Sequence, residues 1–304
     1  MTNAVTTTDL VKKYGSTRAL NGLTISIPNY AVTGLVGANG AGKTTWMMSV
    51  AGFLRTNSGQ INLLNSGPFK PEIHCGRISI LPQDSALPEE SYPLETLVHY
   101  ARLQGLGKSA ALKTAKDILT EVHLADRMSS TIRSLSHGMR KRVMIAQCFI
   151  GFPELILLDE PLSGLDPKEV ANMRNFILKR GKAQTIVISS HNLNDIELLC
   201  DYVAFFKQGK SASLTTVAEI TNKSGLLTYA LTGSPGSMKA LGALLPECTF
   251  TLNQRSNELS CLFKPSLMPA AKLNATLIPH LLQSTEIITI TSGATLENQI
   301  MSEF

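Results

Sequence analysis

The stretch AVTGLVGANGAGKTTW, Ala31 to Trp46, constrains the chain more than any other. Its apolar start reads as a buried strand, and GANGAGKTT, Gly37 to Thr45, follows at once and opens a helix from about Lys43. A strand, a glycine loop and a helix in that order form one unit of an α/β sheet with a phosphate-binding turn at the strand's end. Gly37, Gly40 and Gly42 let the backbone around Ala38, Asn39 and Ala41 turn tightly enough for successive N–H groups to face inward, where the helix dipole adds to them. Lys43 is expected to reach the β- and γ-phosphates of a nucleotide, Thr44 to offer its hydroxyl to magnesium, and Thr45 to bond an α-phosphate oxygen. A glycine-rich turn in an unrelated α/β domain is the competing reading of this motif alone.

The flanks extend the α/β pattern. LTISIP alternates with a period of two, and further strands are expected at GQINLL, RISILP, ELILLD, QTIVISS and DYVAFF. Helices between several of them imply a mostly parallel sheet with crossovers behind a β-rich N-terminal part. From Gln83 to about Ile150 the strand signal vanishes, and LETLVHYARLQ places Leu94, Leu97, Val98 and Ala101 at helical spacing. Two more helical segments follow, so an all-helical insert, about 84–150, interrupts the α/β core. After NKSG, Asn222 to Gly225, the order becomes βαββαβ, the split ferredoxin-like pattern, and a short helix over ATLENQIMSEF closes the chain. The 304 residues thus divide into an α/β domain, 1–222, and an α+β appendage, 223–304.

Composition excludes several classes. The N-terminus lacks a basic start followed by an apolar core, and no run approaches the ~18 apolar residues that span a bilayer, so any membrane role falls to another chain. Cys75, Cys148, Cys200, Cys248 and Cys261 are odd in number and form no CxxC pair, which fits structural thiols in a reduced, cytosolic setting. The net charge of +5 accumulates before residue 222 with one tight basic run, Arg140 to Arg142, too little to argue for nucleic acid. That run is expected to cover a helix surface near an anionic site.

LILLDEP, Leu155 to Pro161, reads as a buried strand that delivers Asp159 and Glu160 at its C-terminal end, where ligands of parallel sheets bind. Downstream of a phosphate loop, Asp159 is expected to hold magnesium and Glu160 to take a proton from the attacking water. Alone, two adjacent acids at a strand end are usually solubilising or cap a helix. Gln83, in ILPQD, is placed to touch magnesium and water and to report them to the insert. His191, in ISSHNL, ends another strand and is placed to donate to a γ-phosphate oxygen. Tyr14 either stacks on adenine or packs as a turn aromatic, with the two readings evenly balanced.

The ordered series Tyr14, GANGAGKTT, Gln83, LSHGMRKR (Leu135 to Arg142), LILLDEP, SGLDP (Ser163 to Pro167) and His191 resembles the ATP-binding cassette (ABC) ATPases over roughly the first 220 residues. The resemblance implies a P-loop ATPase that binds ATP and Mg2+. It also implies a head-to-tail pair, a homodimer in the simplest case, in which Ser136, His137 and Gly138 at a helix N-terminus meet the ATP of the opposite subunit. Asp166 would lie at that interface and couple the two sites. The chain departs from the common LSGGQ signature at His137 and Met139, losing an amide beside the shared nucleotide.

In this family the helical insert and Gln83 form the groove for a coupling helix of a separate transmembrane permease. LETLVHYARLQG, the SHGM form of the signature and the α+β appendage look like ATPase subunits of drug, antibiotic or polysaccharide exporters. That places the chain in the cytoplasm, peripheral on the inner face of the cell membrane, with no nucleic-acid partner expected. The alternatives are a cassette that regulates a membrane protein without transport, and a soluble mechanochemical cassette acting on ribosomes or DNA. The appendage shows no acid pair, metal-ligand cluster or glycine loop.

Overall fold

A computed structural model describes residues 2–211, 214–223, 225–263 and 267–292. The helix expected over ATLENQIMSEF lies outside the described residues. The chain divides into compact units Met1–Thr215 and Thr216–Phe304, each with its own apolar core.

In chain order the first unit comprises β1 (Asn3–Tyr14), β2 (Thr17–Pro28), β3 (Val32–Val36), α1 (Lys43–Val50), β4 (Ser58–Leu63), α2 (Pro71–His74), β5 (Ile78–Leu81), α3 (Pro93–Leu103), α4 (Lys108–Glu121) and α5 (His137–Cys148). It continues with β6 (Leu155–Asp159), α6 (Pro167–Gly181), β7 (Thr185–Ser189), α7 (Leu193–Leu199), β8 (Tyr202–Lys207), β9 (Lys210–Ser211) and, at the boundary, β10 (Thr215–Thr216). One sheet is three-stranded and antiparallel in the order β2-β1-β4. The larger sheet runs β10-β8-β3-β7-β6-β5, with β9 folded back on β8.

Every residue of β3, β6 and β7 is buried, the mark of parallel strands covered on both faces. β8-β3-β7-β6-β5 are indeed parallel throughout. GQINLL departs from the expected parallel set: β4 pairs antiparallel with β1, and its largely exposed residues suit a sheet with one open face. Register brings the strand ends together, with Leu35 opposite Ser189, Ser189 opposite Asp159 and Leu158 opposite Leu81.

Trp46 fixes α1, and with it the glycine loop. The indole is fully buried, donates to Thr7 Oγ1 of β1 at 3.3 Å and meets Phe206 of β8 edge-on at 6.3 Å. It therefore ties both sheets to one helix, and truncating such a side chain to alanine costs about 3–5 kcal/mol.

The insert consists of α3, α4, short 3-10 turns and α5. Leu97 and Ala101 of α3 and Ala111, Ala115, Ile118 and Leu119 of α4 are buried at helical spacing. Two arginines join this layer to α6. Arg180 donates to both oxygens of Glu121 at 3.0 Å, while Arg142 donates to the carbonyls of Val122 and His123 and pairs with Glu169 at 3.2 Å.

The second unit runs α8 (Val217–Lys223), β11 (Gly225–Leu231), α9 (Met238–Leu244), β12 (Thr249–Asn253), β13 (Glu258–Phe263), α10 (Ala270–Leu281) and β14 (Ile287–Ser292). Its four-stranded sheet has the order β12-β13-β11-β14, antiparallel at each pairing. Leu273, Leu277 and Leu281 bury one face of α10 against Leu227, Tyr229 and Leu259, and the Tyr229 hydroxyl donates to Asn274 at 2.6 Å.

Candidate functional site

The loop between β3 and α1 turns on Gly42. Its φ is 107°, and a Cβ there would stand 2.6 Å from the carbonyl oxygen of Ala19, so a side chain would push the loop off β2. At Gly40 (φ 80°) the space is open. Ala38, Asn39 and Gly40 are exposed, while the Ala41 N–H is already engaged, donating to Ala38 O at 3.0 Å. No side chain caps α1 at Gly42, leaving the first amides of the helix directed at the loop's mouth. Gly37 lies against the carbonyl of Phe206, and Thr45 is half-buried on the first turn.

Lys43 folds over the loop and donates to the carbonyls of Gly37 at 2.7 Å and Ala38 at 3.3 Å. Burial lowers its pKa, opposed by the charges of Glu160 and Asp159. Beside it the Thr44 hydroxyl donates to Asp159 Oδ2 at 2.5 Å. Asp159 is 2% exposed, and its other oxygen accepts from Ser189 Oγ. The same Ser189 oxygen accepts the Glu160 backbone N–H at 2.9 Å. Glu160 sits in the left-handed region, φ 49°, and its carboxylate meets His191 Nδ1 at 2.9 Å. Thr44, Asp159, Ser189, Glu160 and His191 thus form one continuous chain of hydrogen bonds.

This donor set fits magnesium. A threonine hydroxyl and a buried carboxylate, both hard oxygen donors, are already in contact, and magnesium usually takes one or two carboxylates and completes its shell with phosphate and water. Among the described residues no group of three or more His, Cys, Asp and Glu side chains gathers to form an all-protein cage. A cleft of about 410 Å³ continues from Glu160 and His191 along Leu165, Arg174, Asn192 and Asp195.

The other expected residues stand apart from that chain. Gln83 is exposed just beyond β5, whose neighbour is β6. Ser136 caps α5, accepting the Met139 N–H at 3.2 Å. His137 is exposed, and its Nε2 faces Gly164 closely enough that a Cβ there would lie at 3.1 Å. Gly138 looks onto Leu165. The start of α5 and the SGLDP loop therefore share one surface, and Asp166 caps α6 by accepting the Glu169 N–H at 3.0 Å. Tyr14 ends β1 half-exposed, with Lys12 Nζ 5.0 Å from its ring centre.

The basic run is a correction. Lys141 and Arg142 are each 6% exposed, so they do not cover the helix surface. Arg142 is spent on the insert's carbonyls and on Glu169. Burial lowers the Lys141 pKa, while Glu160, Asp159, Cys148 and Asp84 oppose that shift in decreasing order. Lys141 and Ser189 are absent from the sequence-derived site. A serine at a strand end and a lysine in a basic tract carry no signal until register and packing are known.

Similarity to known proteins points the same way as the geometry. The ABC transporter family model matches residues 20–163. The chain is 34% identical to the bacitracin transport ATP-binding protein of Bacillus licheniformis over 69% of each sequence. It is 30% identical to the daunorubicin/doxorubicin resistance ATP-binding protein of Streptomyces peucetius over 84% of this chain and 79% of that one. A solved ATP-binding subunit of an ABC transporter superposes with a TM-score of 0.65 at 27% identity, covering 71% of this chain and 91% of the other. With its phosphate loop, paired carboxylates and parallel sheet, the chain belongs to the ABC transporter family as an ATP-binding, ATP-hydrolysing subunit.

Proposed function

We propose that this subunit binds ATP with Mg2+ at the mouth of α1, hydrolyses it with Glu160 as the water-activating base, and drives export through a separate membrane-spanning chain. The observation that carries the reading is the hydrogen-bonded chain from Thr44 to His191 beside the uncapped helix. Lys43 exchanges its loop carbonyls for phosphate oxygens, and the α1 amides receive the remaining phosphate charge. Thr44 and Asp159 hold the magnesium, with Gln83 approaching from the end of β5. When bound, the ion supplies charge neutralisation at the phosphates.

Glu160 Oε2 lies 2.9 Å from His191 Nδ1. With Nδ1 donating to the carboxylate, Nε2 of the neutral ring is an acceptor and becomes a donor only in the imidazolium. His191 therefore donates to a γ-phosphate either after leaving Glu160 or as the cation.

Ser136, His137 and Gly138 begin a helix beside SGLDP, on a surface suited to a second copy whose ATP they contact, with Asp166 holding that loop in shape. Tyr14, ending a hairpin, offers an aromatic face to the base. No helix among the described residues is long and apolar enough to cross a membrane. The reading assigns the crossing to a permease on another chain and sets this subunit at the cytoplasmic face of the membrane. The exporter reading draws on relatives named for bacitracin transport and daunorubicin resistance. In the second unit, strand order β12-β13-β11-β14 with α9 and α10 supports a ferredoxin-like appendage.

The test is Glu160→Gln. Hydrolysis should fall about 10²–10⁴-fold, the usual worth of a general base, while light scattering shows a dimer in ATP and monomer in ADP. Wild-type turnover or an ATP-independent monomer would sink the reading.

A further inference from the structure

The cleft beyond Glu160 and His191 holds an ion pair that the mechanism above does not use. Arg174, near the middle of α6, places Nη1 3.7 Å from Asp195 Oδ1 on the first turn of α7, and both residues line the cleft. Asp195 is 5% exposed, and Arg174 Nη1 is buried without a hydrogen bond among the described residues. A buried charge in that condition depends on its counter-charge.

The position of the pair gives it a use. His191 stands two residues ahead of α7, and its ring, 67% exposed, meets Glu160 at 2.9 Å. The backbone that carries the ring is fixed in three places. Ser190 Oγ accepts the Asn192 N–H at 3.0 Å. Ile196 packs so close to β3 that a Cβ on Gly34 would stand 2.7 Å from it. Between these two, four residues on from His191, Asp195 faces Arg174. α6 in turn begins at the SGLDP loop, with a rigid rise of ~12 Å from its cap, Asp166, to Arg174. One helix therefore joins that loop to the residue that anchors α7.

We propose that Arg174 and Asp195 are positioning residues for hydrolysis: the pair fixes the start of α7, holds the His191 ring in reach of Glu160 and a γ-phosphate, and ties that position to the SGLDP loop. The inference rests on the assignment of His191 to the γ-phosphate and of the loop to the surface that meets a second copy. Displacement of the loop on ATP binding then reaches His191 through α6. Neither residue touches nucleotide, so their loss slows the chemical step and spares ATP affinity.

The experiment compares the full chain with Arg174→Met, Asp195→Leu and the double variant, each also combined with His191→Gln. Removing one partner leaves a lone charge in a buried setting, whereas removing both with apolar side chains does not. The double variant should therefore melt above either single one, and it carries the test where a single variant fails to fold. All three should show kcat lowered about 10- to 100-fold, the usual effect of misplacing a reacting group by an ångström or less, with KM for ATP nearly unchanged. In the His191→Gln background, single-turnover hydrolysis should change by less than about twofold on adding Arg174→Met, because the two changes act through one residue. Parental kcat in the double variant overturns the proposal, since stability without the ionic tie would then suffice. A further loss of about tenfold or more in the His191→Gln background also overturns it, because the pair would be acting elsewhere. Parental turnover in His191→Gln itself overturns the assignment of His191, a separate failure.

Discussion

Ser189→Ala removes one hydroxyl and should impair both stability and turnover. That hydroxyl is fully buried, donates to Asp159 and accepts the Glu160 N–H. A hydrogen bond to a charged group is worth about 1.5–3 kcal/mol, and a buried N–H left without an acceptor costs about 1–3 kcal/mol. Because one atom serves both bonds the two losses overlap, and about 2–4 kcal/mol is the expected destabilisation. For a unit of this size that lowers its melting temperature by roughly 5–15 °C. The effect on chemistry follows from the backbone. Glu160 is held at φ 49°, a conformation costing about 1–3 kcal/mol, and the Ser189 bond is one of its restraints. Once released, the residue relaxes and the carboxylate moves away from the attacking water, for about 10²-fold in kcat. Nucleotide affinity, set by the loop and α1, should hardly change. Melting can be followed by fluorescence of Trp46, the only tryptophan, and turnover by phosphate release. A variant that melts within about 1 °C of the parent, or hydrolyses ATP within about twofold of it, would refute the argument that Ser189 links the two acids.

Gly42→Ala should lower nucleotide affinity at least about tenfold, since φ of 107° and a carbonyl 2.6 Å from the new Cβ add about 1–3 kcal/mol of strain at the start of α1; calorimetry showing parental affinity would contradict this. Thiol reactivity should follow burial. Cys75 is exposed and should react fast at pH 8, whereas Cys148 and Cys261, pushed up to about 12 by burial, hold almost no thiolate there and should react only after denaturation. Mass spectrometry finding Cys148 or Cys261 labelled in the native protein would count against the described cores.

The elements carrying continuous local signals were legible from sequence. β3, β6 and β7 are unbroken apolar runs, α1 begins at Lys43 where the glycine loop predicts, and α10 shows its leucines at helical spacing. Lys43, Thr44, Asp159, Glu160 and His191 converge because each ends or follows a strand of one parallel sheet. What escaped depends on contacts between distant segments. β4 resembles its parallel counterparts until pairing with β1 is known. Lys141 and Arg142 look like a solvated basic face, and only the packing of α5 within the insert and against α6 reveals that they are buried. Ser189 matters because β7 lies beside β6 in a register that sets it opposite Asp159. Strand order across a sheet is a tertiary outcome that no local pattern encodes.

The central claim is that each nucleotide is enclosed by residues from two copies: Ala38 beside it in one, Ser136 facing it from the other. Disulfide cross-linking tests this directly in a background of Glu160→Gln and Cys75→Ser. Chains bearing Ser136→Cys are mixed with chains bearing Ala38→Cys, supplied with ATP and Mg2+, and oxidised. The account predicts a cross-linked dimer from the mixture, dependent on ATP and absent when either chain is alone. No dimer from the mixture, together with an internal cross-link in a single chain carrying both substitutions, would contradict it.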